Sequence, residues 1–441
     1  MYDKNRTQIK MIVSTIKSTE HQKDKHIPSD KINISFFGLF AFVCGLPSLY
    51  TINLMGELYA TEVILLILTI ILLLSGKEKR IFKEKVFWTF VLSSIVMIVG
   101  YIISDLVAGT SQVNYLRAWG RNAILLSDIV CLSVIAATDK RYLWWYIFGV
   151  SLGSVIYLQL TGVPFTNAYW KLEYNQPILL LMLVVAYFIP NFLSVWLTIA
   201  VGIFSFYMDG RSFGAICILL TGILWIRRGN PETLKISTKS LTNIVIAGTI
   251  AISLIMLVLT QTNEGYSDRR DVSSLSRFAA LRIGVTAITD SPVIGFGSWG
   301  EGTQKYAAML YKETQSELRE LGQSNVHQSQ SFMAHSQILQ IWMEGGIFAA
   351  QLFIYYGYQL LISLKKTILT RRFDYMSPFY CFLLIMGLWN LFMSPYAGSH
   401  RLNIAIAIAI ICAINAENST EKPEKILIIP VKHLGKKWPV P

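Results

Sequence analysis

Charged side chains are scarce in this chain: Asp, Glu, Lys and Arg make up 15% of its 441 residues, while 53% are hydrophobic. With a mean hydropathy of +0.47, that balance excludes an ordinary soluble domain, in which about a quarter of residues are charged. The five cysteines, Cys44, Cys131, Cys217, Cys381 and Cys412, all lie inside apolar runs. They exclude a disulfide framework across an oxidised loop and read as packing residues. Metal-ligand spacing, a P-loop and a Gly-x-Ser-x-Gly elbow are missing, so neither a metal nor another cofactor is expected. Energy for any reaction must then come from the substrate itself. The basic N-terminal stretch (Lys4, Arg6, Lys10, Lys17, Lys23, Lys25, Lys31) has no small-residue cleavage site after the first apolar run, so no removable signal peptide is expected.

What is present is a succession of apolar runs, and roughly 20 such residues cross a hydrocarbon core. Spans are expected near 34–54, 57–75, 86–106, 119–138, 142–160, 176–190, 191–207, 212–226, 241–260, 336–362, 376–394 and 402–416. The fold class is therefore all-α, a polytopic membrane protein with about twelve transmembrane helices. Pro190-Asn191 is the only break between the sixth and seventh spans, which leaves two short spans or one bent excursion open. A net charge of +12 would suggest nucleic acid in a soluble protein, but here the excess sits in short segments between apolar runs. Lys77, Lys79, Arg80, Lys83 and Lys85 follow the second span, Lys140 and Arg141 the fourth, Arg227, Arg228, Lys235 and Lys239 the eighth, and Lys365, Lys366, Arg371 and Arg372 the tenth. Cytoplasmic loops collect Lys and Arg, so the even-numbered gaps and both termini are expected inside.

The chain divides into a basic cytoplasmic tail (1–33), a bundle of nine spans (34–260), a large exported loop (261–335), spans ten to twelve (336–416) and a second cytoplasmic tail (417–441). The loop is too long for a passive connector. Within it Phe278, Leu281, Val285 and Ile288 recur at helical spacing, which predicts an amphipathic helix lying on the bundle. Asp290-Ser291-Pro292 should stop that helix before a glycine-rich turn over 295–300.

On this topology a set of basic groups gathers at the outer membrane surface: Arg117, Arg121, Arg211, Arg277, Arg282, His335, His400 and Arg401. Positive charge is avoided there, and arginine offers the planar paired donors that fit phosphate oxygens. The ordinary alternative for each is an interfacial, snorkelling side chain. Arg282 interrupts the apolar stripe of the loop helix and should face the bundle. Arg211 either meets an anion or pairs with Asp209. Arg117 and Arg121, at i and i+4, share a helix face and are further anion-binding candidates, as is Arg401. His335, ahead of span ten, is placed to take a proton at the water boundary. Glu344, beside Gly345-Gly346, reads as satisfying polar groups at a helix irregularity. Asp128, Glu57 and Glu62 read as structural or as part of an ion path.

The stretch from Ser276-Arg277 to Pro292-Val293-Ile294-Gly295-Phe296-Gly297, followed by Ala334-His335-Ser336 and Glu344-Gly345-Gly346, resembles the O-antigen ligase/polymerase superfamily. The resemblance is specific over about 211–350 and generic elsewhere. It implies a metal-independent, inverting glycan transferase of the bacterial inner membrane acting on a polyprenyl (undecaprenyl) diphosphate-linked glycan at the outer face. Arg211 and Arg277 match family arginines expected to grip the diphosphate, and His335 matches the expected base; Arg282 joins them from the helix-face argument alone. Many members have Asn where this chain has Ser336. Three functions stay open: a polymerase of surface polysaccharide repeat units, preferred; a ligase transferring the glycan to lipid A-core; and a lipid-linked sugar transporter. The partners implied are the lipid-linked donor, a lipid-linked or lipid A-core acceptor, a flippase and a chain-length regulator, with no nucleic acid.

Overall fold

Apolar segments that meet lipid or a dry core must satisfy their own backbone N–H and C=O groups, and helices do so within one segment. The computed structural model describes residues 36–53, 57–75, 81–186, 191–228, 266–320, 332–370, 376–396 and 400–420, and it is predominantly helical. In chain order the helices are α1 (Phe36–Gly45), α2 (Ala60–Ser75), α3 (Lys85–Ala108), α4 (Gln112–Thr138), α5 (Lys140–Leu160), α6 (Asn175–Ala186), α7 (Asn191–Tyr207), α8 (Arg211–Arg228), α9 (Tyr266–Asp290), α10 (Gln304–Glu320), α11 (Gln337–Lys365), α12 (Ser377–Met393) and α13 (His400–Thr420). A small antiparallel pair, β1 (Thr51–Asn53) with β2 (Glu57–Tyr59), joins α1 to α2, with Ile52 opposite Leu58.

Four described stretches are long and apolar enough to cross a membrane: α3, α4, α5 and Gln337–Leu369. Five shorter apolar ones, Phe36–Gly45, Ala60–Ile71, Leu193–Tyr207, Ser377–Met393 and His400–Ala416, fall where further spans are expected. The expected span near 241–260 lies outside the described residues, as do the N-terminal tail and most of the C-terminal one. The bundle is assembled from close helix pairs: α3 with α11, α1 with α5, α7 with α8, α4 with α13, and α11 with α12. In the second pair Gly149 and Gly153 bring α5 against the Phe42 and Leu46 carbonyls, the small-residue approach by which helices pack where lipid offers no hydrophobic drive. α6 and α7 are separate helices packed against each other. Asn175, which opens α6, and Asp209, just after α7, line one cavity, so the two form an antiparallel pair rather than one bent excursion.

The most informative irregularity is in α11. Gly346 has φ 67° and ψ −167°, a conformation open essentially to glycine alone. In an unbroken helix the Ile347 N–H would reach the Met343 carbonyl; here it donates to the Pro292 carbonyl at 3.1 Å. Phe296 N–H donates instead to the Met343 carbonyl at 2.8 Å and Gly297 N–H to the Glu344 carbonyl at 3.0 Å. The turn after α9 is thus threaded into the break, and its backbone replaces the missing helical bonds. As expected, Glu344 serves the same irregularity: its carboxylate accepts from Tyr101 Oη at 2.7 Å, Arg121 Nη2 at 2.9 Å and Gln340 Nε2 at 2.9 Å.

α9 forms within the expected loop, but its faces differ from the expectation. Ala279, Ala280, Ile283, Ala287 and Ile288 are buried against α10 and α11, whereas Phe278 is 69% and Val285 51% exposed. Small side chains permit the closest approach of helix backbones, so the alanine face docks and two of the four bulky residues point away.

Candidate functional site

At one end of the bundle a cavity of about 700 Å³ opens between α6, α8, α9, α12 and α13. Besides Ser151 and Ser154 of α5, its polar lining comes from Ser48 and Tyr59, 171–176, 209–212, Arg277 with His335, and 390–403. These segments belong to the first, fifth, seventh, ninth and eleventh gaps between the expected spans, with the adjoining span ends. Five of the six expected odd-numbered gaps, or the span ends beside them, thus contribute to one cavity.

Arg211 reaches the cavity through a tight corner. α7 closes with the Gly210 N–H on the Ser205 carbonyl at 2.7 Å, and Asp209 takes φ 58°, a left-handed conformation that Asp tolerates better than most residues. Arg211 follows as the first residue of α8 and donates from Nε to Asp209 Oδ1 at 3.0 Å. Arg211 therefore pairs with Asp209, as one of its two readings expects, and also lines the cavity. Arg277 stands three residues before Ala280 and seven before Gly284, on the buried stripe of α9, and this turns it inward. It has no acidic partner among the described residues. His335 precedes the N-terminus of α11, whose Ser336 hydroxyl caps the helix at Leu339 N–H, 3.5 Å, and donates to the Leu391 carbonyl at 3.0 Å. Ser336 thus ties the histidine's backbone to α12.

His335 is exposed and lines the cavity. Burial, and then the Arg277 charge, push its pKa below the ordinary histidine value, so the imidazole is neutral at neutral pH and free to accept a proton. Lys171, which the sequence reading passed over, lines the same cavity. Burial lowers its pKa and Arg277 and Arg211 lower it further, while Asp209 works in the opposite direction. Glu173 beside it is pushed up by burial. The only sequence signal for Lys171 was a lysine in an outward gap, against the rule that placed the others inside. Across the cavity the polar wall is uncharged: Gln176 donates to Asn403 at 3.0 Å, Ser394 to Asn390 at 3.1 Å, and His400 lies beside them. Among the described residues no three His, Cys, Asp or Glu side chains are arranged to hold a metal ion.

The other candidate cations lie elsewhere. Arg282 does not face the bundle: its side chain is 69% exposed and pairs with Glu313 of α10, because the face it shares with Phe278 and Val285 is the outer one. Arg117 is exposed while Arg121, four residues on, is 3% exposed, so the two do not form one anion-binding face. Arg121 is held by Glu344 and lies over the rings of Tyr396 and Trp299, 4.3 and 4.8 Å from their centroids. Arg401 is 4% exposed and binds Glu62 through two contacts of 2.9 and 2.8 Å. Both are committed to internal carboxylates. Glu62 is thereby paired internally, and Asp128 is buried with both carboxylate oxygens lacking a hydrogen-bond partner.

The fold and the cavity define a multi-pass membrane protein that gathers arginines, a lysine and a neutral histidine at one end of its bundle. Residues 178–354 match the family model described as O-antigen ligase, and the match supports membership of the O-antigen ligase/polymerase superfamily. No curated protein matches the chain. The family points to a glycosyl-transferring enzyme with lipid-linked glycan substrates. Arg211, Arg277 and His335 all fall inside the matched region, and Lys171 lies just before it.

Proposed function

We propose that the chain transfers a glycan from a polyprenyl diphosphate carrier at the outer face of the bacterial inner membrane, with surface polysaccharide repeat units joined to one another as the preferred outcome. The observation that carries this reading is the convergence of Arg211, Arg277 and His335 from distant segments on one cavity. The lipid tail of the donor stays in the bilayer while its diphosphate enters the cavity and meets Arg211 and Arg277. An acceptor hydroxyl attacks the anomeric carbon from the side opposite the diphosphate, inverting it. The new C–O bond forms as the bond to the phosphate oxygen breaks, the electron pair leaves with the diphosphate, and His335 takes the hydroxyl proton. Base removal of this kind is typically worth about 10²–10⁴ in rate, and preorganised donors at a developing anion contribute comparably.

A carrier of the lipid-linked sugar is the reading from another class. Transporters place their binding groups near mid-membrane, often with repeat symmetry, whereas here Arg211 opens α8, Lys171 lies in the turn before α6 and Arg277 comes from α9, which falls within the expected exported loop. Polymerase and ligase would share this cavity and differ in acceptor. Glycan length on lipid carriers in a deletion strain separates them: single repeats follow from a lost polymerase, long unattached chains from a lost ligase. A wild-type glycan profile in that strain would contradict both.

A further inference from the structure

The turn between α5 and α6 carries two charges into the cavity and is built to hold them there. Residues Trp170–Tyr174 form a single π turn, a local widening of the helix that recurs at functional sites. Its two ends are anchored, with Trp170 2% and Tyr174 1% exposed. The Tyr174 hydroxyl donates to the Val163 carbonyl at 2.9 Å and accepts from Gln159 at 3.1 Å. Trp170 in turn packs on the corner that presents Arg211: a Cβ at Gly210 would stand 3.3 Å from the indole nitrogen. Lys171, between the anchors, is exposed to the cavity that Asp209 and Arg211 also line. Arg211 and Arg277 line the same cavity, and both charges act to lower the Lys171 pKa.

We propose that Lys171 is the third cation of the diphosphate site, reaching the donor's phosphates from the α5–α6 turn while Arg211 and Arg277 reach them from α8 and α9. This rests on the reading of the cavity as a diphosphate site. Charge balance favours it. Three cations against Asp209 and Glu173 leave one surplus positive charge to set against the two negative charges of a diphosphate diester, and without Lys171 the cavity would offer none. Departure of the glycan adds a third negative charge to the leaving diphosphate. An ammonium is a compact point charge with three donors, suited to the phosphate that the arginine forks do not enclose.

Binding of inorganic pyrophosphate to the purified full chain in detergent, followed by titration calorimetry, tests the proposal. Lys171→Gln should weaken binding about tenfold, the effect of one lost charge-assisted hydrogen bond, and Lys171→Arg should restore most of it. Glu173→Gln, which removes a negative charge from the same turn, should tighten binding; equal losses in both glutamine variants would show a turn that is merely structural and would overturn the proposal. Wild-type affinity in Lys171→Gln alongside lost affinity in Arg277→Ala would remove Lys171 and leave the diphosphate reading standing. No binding by the wild-type chain would sink both.

Discussion

The Arg121 guanidinium lies 2.9 Å from the Glu344 carboxylate, each side chain 2% exposed, and the Glu344 carbonyl accepts the Gly297 N–H of the turn after α9. One residue therefore joins α3, α4 and α11 to the segment that carries Arg277. Removing one partner of a buried ion pair strands the other and costs about 3–5 kcal/mol. Arg121→Met should lower the melting temperature and the amount of folded protein in the membrane, and adding Glu344→Gln should recover part of the loss. A melting temperature equal to wild type in Arg121→Met would contradict this role.

Gly346→Ala should act on the same junction without touching a charge. The backbone conformation is closed to alanine at a cost of about 1–3 kcal/mol, and the added Cβ would collide with the Val293 carbonyl. Cleavage by a protease between α9 and α11 should become faster in membranes bearing the variant. Unchanged cleavage rates would show that the turn is held by other contacts.

Removing Arg282 should do little. It is exposed and paired with Glu313, and exposed pairs contribute about 0–1 kcal/mol. Arg282→Ala should keep near-wild-type glycan transfer, whereas Arg211→Ala and Arg277→Ala should lose about 10² or more at normal expression. Lysine in their place should rescue only partly, since a point charge does not reproduce a paired-donor fork. Transfer assays with lipid-linked donor distinguish these outcomes; full activity in either of the latter two alanine variants would remove that arginine from the site.

The proposed orientation places the segment between α9 and α11 outside and the end of α11 inside. A reporter active only outside the cytoplasm should work when fused after Glu320 and fail when fused after Thr370. The reverse pattern would put the cavity on the cytoplasmic side and end the account of an outer-face reaction.

Much of the bundle was legible because an apolar run of membrane-crossing length has few other fates: α3, α4, α5 and α11 lie where hydropathy places them. Arg211, Arg277 and His335 were singled out by the resemblance, and the structure brings all three to one cavity. Arg282 was misplaced because bulk was weighed over fit; in α9 the alanines made the close contact, and Phe278 stayed outside. Arg121 and Arg401 were illegible as internal partners because Glu344 and Glu62 are 223 and 339 residues away in sequence. Lys171 was hidden by its setting in a polar turn, where only the fold shows which neighbours it meets.

The central claim is that His335 removes the acceptor proton. Burial and the Arg277 charge hold its folded pKa below the ordinary value of 6.5, so the neutral, proton-accepting form persists from neutral pH down past 6.5 and is lost as pH falls through the lowered pKa. Turnover of purified enzyme with lipid-linked donor, measured against pH, is the direct test. Wild-type turnover should hold steady down to that value and fall below it. His335→Gln should turn over about 10²-fold more slowly, with donor KM little changed and the acid limb gone. Near-native turnover by His335→Gln, with the same acid limb as wild type, would contradict the assignment.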